Sequence, residues 1–97
     1  MKTFDEIKAI LEENKDTITD KFKIDEIGIF GSYVKGEQTD ESDVDILVTF
    51  REPIDFFIFL HLEEYLTDLI GIKVDLVTKK ALKPYIGKEI LKETMYV

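Results

Sequence analysis

The stretch GIFGSYVKGEQTDESDVDILV, Gly28–Val48, decides how this chain is read. An apolar run stops at a bare Gly31-Ser32, and after ten further residues Asp43 and Asp45 open a second apolar run, DVDILVTF. Aspartate is depleted in strands, so two of them at the head of one ask for a reason beyond folding. Alternate side chains of a strand share a face. Val44, Ile46 and Val48 therefore point one way, and Asp43, Asp45, Leu47 and Thr49 the other. Two carboxylates about 6.5–7 Å apart at Cα by strand rise repel when ionised. A hard divalent cation between them relieves the repulsion and leaves room for substrate phosphates.

The elements around this stretch follow from periodicity. Phe4, Ile7, Ile10 and Leu11 recur at helical spacing, with Thr3 and Glu6 at the positions of a capping box. A helix is expected over about 4–14, and a short second one, capped by Asp16, through Phe22. DEIGIFG reads as a strand ending at Gly31, and SYVKG as one or two helical turns ending at Gly36. After the polar loop EQTDES and the DVDILVTF strand, Pro53 or Ile54 opens a long helix to about Ile70, with Gly71 as its stop. IKVDLVT is a third strand, and a helix after Pro84 closes the chain. The expected class is α/β (α+β), in the order ααβαβαβα. The long helix joins parallel neighbours, and the short link between the first two strands suits an antiparallel pair. The result is a small mixed sheet packed with helices, one domain over 1–97.

Composition narrows the function classes. The net charge of −8 argues against broad attraction to nucleic acid or to an anionic membrane surface. The absence of cysteine excludes a disulfide framework and a thiolate metal site. The longest apolar run, FFIFLHL, is too short to span a bilayer. MKTFDEIKAILEENK lacks the apolar region of a signal peptide, so a cytoplasmic protein is expected.

A third acid joins the pair. Asp75 lies between apolar residues of KVDLV, on the strand expected beside the one that carries Asp45. With the register right, three carboxylates converge on one patch, enough to hold two metal ions at about 3.5–4 Å, the arrangement that clamps a phosphoryl displacement. Gly31-Ser32, where a strand turns into a helix, offers free N–H groups to an anion. Each feature alone has an ordinary structural explanation: a helix start for Gly-Ser, loop-edge solvation for Asp-x-Asp. Their joint occurrence, in this order, favours a seat for a nucleoside triphosphate with Mg²⁺.

The pattern Gly-Ser, ten residues, Asp-x-Asp in GSYVKGEQTDESDVD resembles the DNA-polymerase-β-like nucleotidyltransferases, and the whole chain looks like the minimal nucleotidyltransferase (MNT) family. The resemblance implies Mg²⁺-dependent transfer of a nucleotide, usually AMP from ATP, to an acceptor hydroxyl. It implies that Gly31 and Ser32 hold the triphosphate, that Asp43 and Asp45 bind both metal ions, and that Asp75 is the third ligand and the base. It further implies an antitoxin that adenylylates a tyrosine of a HEPN-domain ribonuclease toxin. Many relatives have arginine where this chain has Lys35, which reaches a phosphate as a point charge or is a solvated helix residue. A non-catalytic antitoxin that masks the toxin stoichiometrically, or a small-molecule nucleotidyltransferase working with a separate acceptor-binding subunit, are the alternatives. Larger nucleotidyltransferases carry a further domain for the acceptor, so here the acceptor is expected to bring its own contacts. Surplus apolar residues on the 54–70 helix and Met95-Tyr96-Val97 are candidate interface. His61 reads as a packing or interface residue. Arg51 either pairs with Glu52 or Asp55 or faces the nucleotide.

Overall fold

The computed structural model describes residues 2–97. Ten elements follow one another: α1 (Phe4–Glu13), α2 (Lys15–Phe22), β1 (Ile24–Phe30), α3 (Ser32–Lys35), β2 (Val44–Phe50), α4 (Phe56–Ile70), β3 (Val74–Thr78), a 3₁₀ turn (Lys79–Ala81), α5 (Pro84–Glu93) and β4 (Met95–Tyr96). The sheet order is β3-β2-β1-β4. β1 runs antiparallel to β2 and to β4, while β2 and β3 are parallel. The crossover α4 and the short β1–β2 link thus give the expected mixed sheet.

One face of the sheet carries the core. Ile27 and Ile29 of β1, Val44, Ile46 and Val48 of β2, and Val74 and Leu76 of β3 pack with Ile7 and Leu11 of α1, Ile18 and Phe22 of α2, and Leu62, Leu66 and Ile70 of α4. Alternation marks the strand positions as inward and helical spacing those of α1; on α4 the apolar residues exceed one stripe, and Leu62, Leu66 and Ile70 are the ones that are buried. Among the described residues no helix is long and apolar enough to cross a membrane.

Local chemistry sets the boundaries. At the start of α1 the Thr3 side chain accepts from the Glu6 N–H, and the Glu6 carboxylate accepts from the Thr3 N–H, closing the capping box. Three boundaries differ from expectation. Asp16 does not cap α2: the helix begins at Lys15, because α1 and α2 meet at Asn14, whose side-chain amide donates to the Ile10 carbonyl. The long helix starts at Phe56 rather than at Pro53 or Ile54, since Asp55 is its cap and accepts from the Ile58 N–H at 3.0 Å. The closing helix stops at Glu93, and Met95–Tyr96 become a fourth strand. β1 otherwise has a free edge on that side, and its Gly28 leaves room for β4: a Cβ there would sit 2.6 Å from Thr94 Cγ2.

The opposite edge, β3, is closed by side chains of α4. The Val74 N–H donates to Thr67 Oγ1 and the Leu76 N–H to Glu63 Oε2, each at 3.0 Å. Unpaired edge amides template association, and α4 satisfies these. Glu63→Ala should therefore cost about 1–2 kcal/mol, the range for a half-buried N–H left without its acceptor. Glu63→Gln, which keeps an acceptor oxygen, should cost less than half of that. Urea unfolding of the three proteins checks it, and equal losses for Ala and Gln would remove the hydrogen bond from the explanation.

Candidate active site

The polar cluster forms at one end of the sheet, on the face opposite the core. The β1–β2 register sets Phe30 against Asp45, and the β2–β3 register sets Asp45 against Asp75. Residues paired across a ladder share a face. Leu47 and Phe30, buried on this same side, give the acids an apolar floor. Asp43 lies one residue before β2, and Asp75 is exposed at the rim.

Gly31 closes the cluster from the β1 side. Its φ is +79° and its ψ −151°, a region open essentially to glycine alone. A Cβ at this position would overlap Asp45 Oδ2. The backbone after β1 therefore lies directly against the Asp45 carboxylate, and α3 starts from there with Ser32. Tyr33 is buried in the main core and anchors that turn. Burial, with smaller contributions from Asp40 and Asp43, raises its hydroxyl pKa.

Electrostatics marks Asp45 as the crowded member. Its pKa is pushed up to about 6, first by burial, then by the charges of Asp75, Asp43 and Glu93, with a hydrogen bond shared with Asp75. Asp43 turns to Lys73, Nζ to Oδ2 3.8 Å. Among the described residues, no three carboxylate or imidazole side chains are closed around a point as ligands of one ion. Register sets Asp45 beside Asp75, and Asp43, one residue before the strand, leans on a lysine. A half-buried carboxylate crowded by other carboxylates offers the oxygen donors of a hard-cation site. The residues fit Mg²⁺ in that sense, with Asp43 the one that must turn.

A residue absent from the sequence reasoning also enters the site. Glu93, in the last turn of α5, accepts from the Gly31 N–H at 3.2 Å through Oε1 and pairs with Lys35 Nζ at 3.2 Å through Oε2. It is 18 residues beyond Asp75, at the end of an ordinary amphipathic helix, and no spacing singles it out. Only the pairing of β4 with β1 brings that helix end to Gly31. Ser32 starts α3 at this point, and Lys35 reaches the cluster through Glu93.

Two other candidates fall elsewhere. Arg51 is six residues past Asp45, about 20 Å along the strand by its rise. It donates to the Thr19 carbonyl at 3.2 Å, and Glu52 pairs with Lys23 at 2.7 Å instead. Arg51 therefore does not face the acids. His61 is exposed on α4, so of its two expected roles packing in the core is excluded. A hollow of about 500 Å³ lined by Phe50, Arg51, Phe56, Phe59, Lys79 and Lys80 also lies at that far end. It has no Gly-Ser turn, and Asp43, Asp45 and Asp75 are not among the residues that line it.

The chain is similar to known proteins over nearly its whole length. A family model described as a nucleotidyltransferase domain matches residues 7–97. A protein of Methanocaldococcus jannaschii named "Putative protein adenylyltransferase" is 54% identical over 98 residues, covering 100% of both chains. The protein adenylyltransferase MntA of Thermococcus cleftensis is 50% identical over 97 residues, covering 100% of this chain and 98% of that one. In fold, the chain is similar to a solved toxin–antitoxin structure with AMP-PNP, with a TM-score of 0.72, 24% identity, and coverage of 88% of this chain and 70% of that one. The model match and the full-length relatives show that the chain belongs to the nucleotidyltransferase domain family.

Proposed function

We propose that this chain is a protein adenylyltransferase that moves AMP from ATP to a hydroxyl, a tyrosine of a HEPN-type toxin, and so acts as that toxin's antitoxin. The observation that carries the reading is the register that sets Asp45 beside Asp75 and Gly31 against Asp45. The two full-length relatives named as protein adenylyltransferases support it.

In this reading residues 1–97 work as one domain, and each group has a role. Asp43, Asp45 and Asp75 hold two Mg²⁺ ions. When bound, Mg²⁺ supplies charge neutralisation at the phosphate oxygens. The Gly31 N–H, Ser32 and Lys35 hold the β- and γ-phosphates. Asp75, exposed at the rim, is the acid an incoming hydroxyl meets, and it accepts that proton. The acceptor oxygen bonds to the α-phosphorus, the bond to the β-phosphate oxygen breaks, and pyrophosphate leaves. The acceptor protein brings its own contacts, for which the exposed Phe56, Phe57 and Tyr85 offer apolar area.

The test is the intact mass of a HEPN-type partner after incubation with this protein, ATP and Mg²⁺. A gain of one or more AMP units, absent with Asp43→Asn, is the expected result. An unchanged mass with a stable complex on a sizing column would favour the stoichiometric antitoxin, whose support is the same exposed aromatic surface.

A further inference from the structure

We infer that the Glu93 carboxylate stands in for phosphate oxygens in the nucleotide-free protein, and that a triphosphate binds by displacing it. This rests on the reading of Gly31, Ser32 and Lys35 as the triphosphate seat. Glu93 places one oxygen 3.2 Å from the Gly31 nitrogen and the other 3.2 Å from Lys35 Nζ. One carboxylate thereby occupies an N–H donor and an ammonium that the seat would offer to an anion. The Gly31 N–H carries a single hydrogen, so it cannot serve Glu93 and a phosphate oxygen equally well.

Charge points the same way. Glu93 is one of the acids that crowd Asp45. A triphosphate set beside a fixed Glu93 would add its own negative charges to that cluster, and like charges at contact oppose binding. Displacement removes both obstacles together. The side chain needs no backbone movement for this: it leaves the last turn of α5 through rotatable torsions, and its partners in the structure are the two donors already named. Glu93 thus acts as a competitor built into the chain, one that sets the nucleotide concentration at which the seat fills. Gln at this position keeps an oxygen for the Gly31 N–H but loses the charge that holds Lys35 and repels phosphate.

Calorimetric titration of wild type and Glu93→Gln with Mg·ATP and with Mg·AMP tests this. Mg·ATP should bind the variant about three- to tenfold more tightly than wild type, a modest step on the affinity scale. Mg·AMP, which has no β- and γ-phosphates, should bind both alike. A variant that binds Mg·ATP no better, from a wild type that prefers ATP to AMP, would overturn the displacement while leaving the nucleotide seat standing. A wild type with no preference for ATP over AMP would remove the seat, and the displacement with it. The amide resonance of Gly31 in the wild-type protein gives a measurement that needs no variant. It should shift on saturation with Mg·ATP and stay in place with Mg·AMP. A Gly31 resonance unmoved by bound ATP would show that Glu93 keeps its place, and would also overturn the inference.

Discussion

Asp45→Asn should abolish AMP transfer and at the same time make the nucleotide-free protein more stable. The activity loss should reach about a thousandfold or more, because in the proposed reaction this carboxylate helps hold the Mg²⁺ that would supply several kcal/mol of charge stabilisation at the phosphates. The stability gain has a separate cause. Burial and three neighbouring acids raise the Asp45 pKa to about 6, against 3.8 for an ordinary aspartate. The folded protein therefore keeps a proton that the unfolded chain has lost across that interval. For such a group the stabilising contribution is complete below the lower value, declines as pH rises, and is gone above the upper one. At neutral pH the ionised Asp45 is a net cost. Because the carboxyl is partly solvated, the cost after screening is about 1 kcal/mol, or about 4–8 °C in melting temperature for a domain of this size. Wild type should lose stability between pH 4 and pH 6.5 relative to Asp45→Asn, whose amide does not titrate and can donate to Asp75. Added Mg·ATP should raise the melting temperature of wild type and leave the variant nearly unmoved. Thermal melts at several pH values, with and without nucleotide, measure all of this. A variant less stable than wild type at pH 7 would show that the ionised Asp45 is not a net cost to the folded protein.

Much of this site is legible in the sequence, because its key contacts follow from local rules. Asp-x-Asp at a strand head puts two acids on one face by geometry alone. Asp75 needs one further step, that the β2–α4–β3 crossover is parallel, and the parallel ladder then sets it beside Asp45. Gly31 is marked by its place at the end of an apolar run. The same rules locate the core, since Val44, Ile46, Val48, Val74 and Leu76 all face inward as alternation requires. The fourth strand and Glu93 are illegible for a common reason. Met95–Tyr96 is too short for periodicity to register as a strand, and it forms because β1 presents an edge and Gly28 leaves space beside it. Glu93 reaches Gly31 only once that pairing exists. The Asp43–Lys73 contact is likewise a tertiary outcome, since nothing in the spacing of residues 43 and 73 announces it. The displaced start of α4 is different: Asp55 is a strong cap, and Pro53, a favoured first-turn residue, is a competing start signal two residues earlier.

Gly31→Ala should cost both fold and function, more than any other glycine substitution on the β1 side of the sheet. Two independent penalties add. The φ of +79° with ψ of −151° lies where an L-residue is strained by about 1–3 kcal/mol. The new methyl would also overlap Asp45 Oδ2, and forcing the carboxylate aside adds about 1–3 kcal/mol of overpacking. A total of about 2–6 kcal/mol is a large share of the 5–15 kcal/mol that holds a domain folded. Gly28→Ala provides the contrast. Its Cβ would meet Thr94 Cγ2 at 2.6 Å, the end of a side chain, with no positive φ. Removing that methyl with Thr94→Ser should restore much of the Gly28→Ala loss, since serine keeps the hydroxyl that donates to the Ile90 carbonyl. No partner change should rescue Gly31→Ala in the same way, because shortening or neutralising Asp45 leaves the backbone strain in place. Urea midpoints of the single variants Gly28→Ala, Gly31→Ala and Asp45→Ala and of the doubles Gly28→Ala/Thr94→Ser and Gly31→Ala/Asp45→Ala decide it. If Gly31→Ala costs nothing in the Asp45→Ala background, the backbone conformation at Gly31 carries no strain and the glycine is there only to let the carboxylate in.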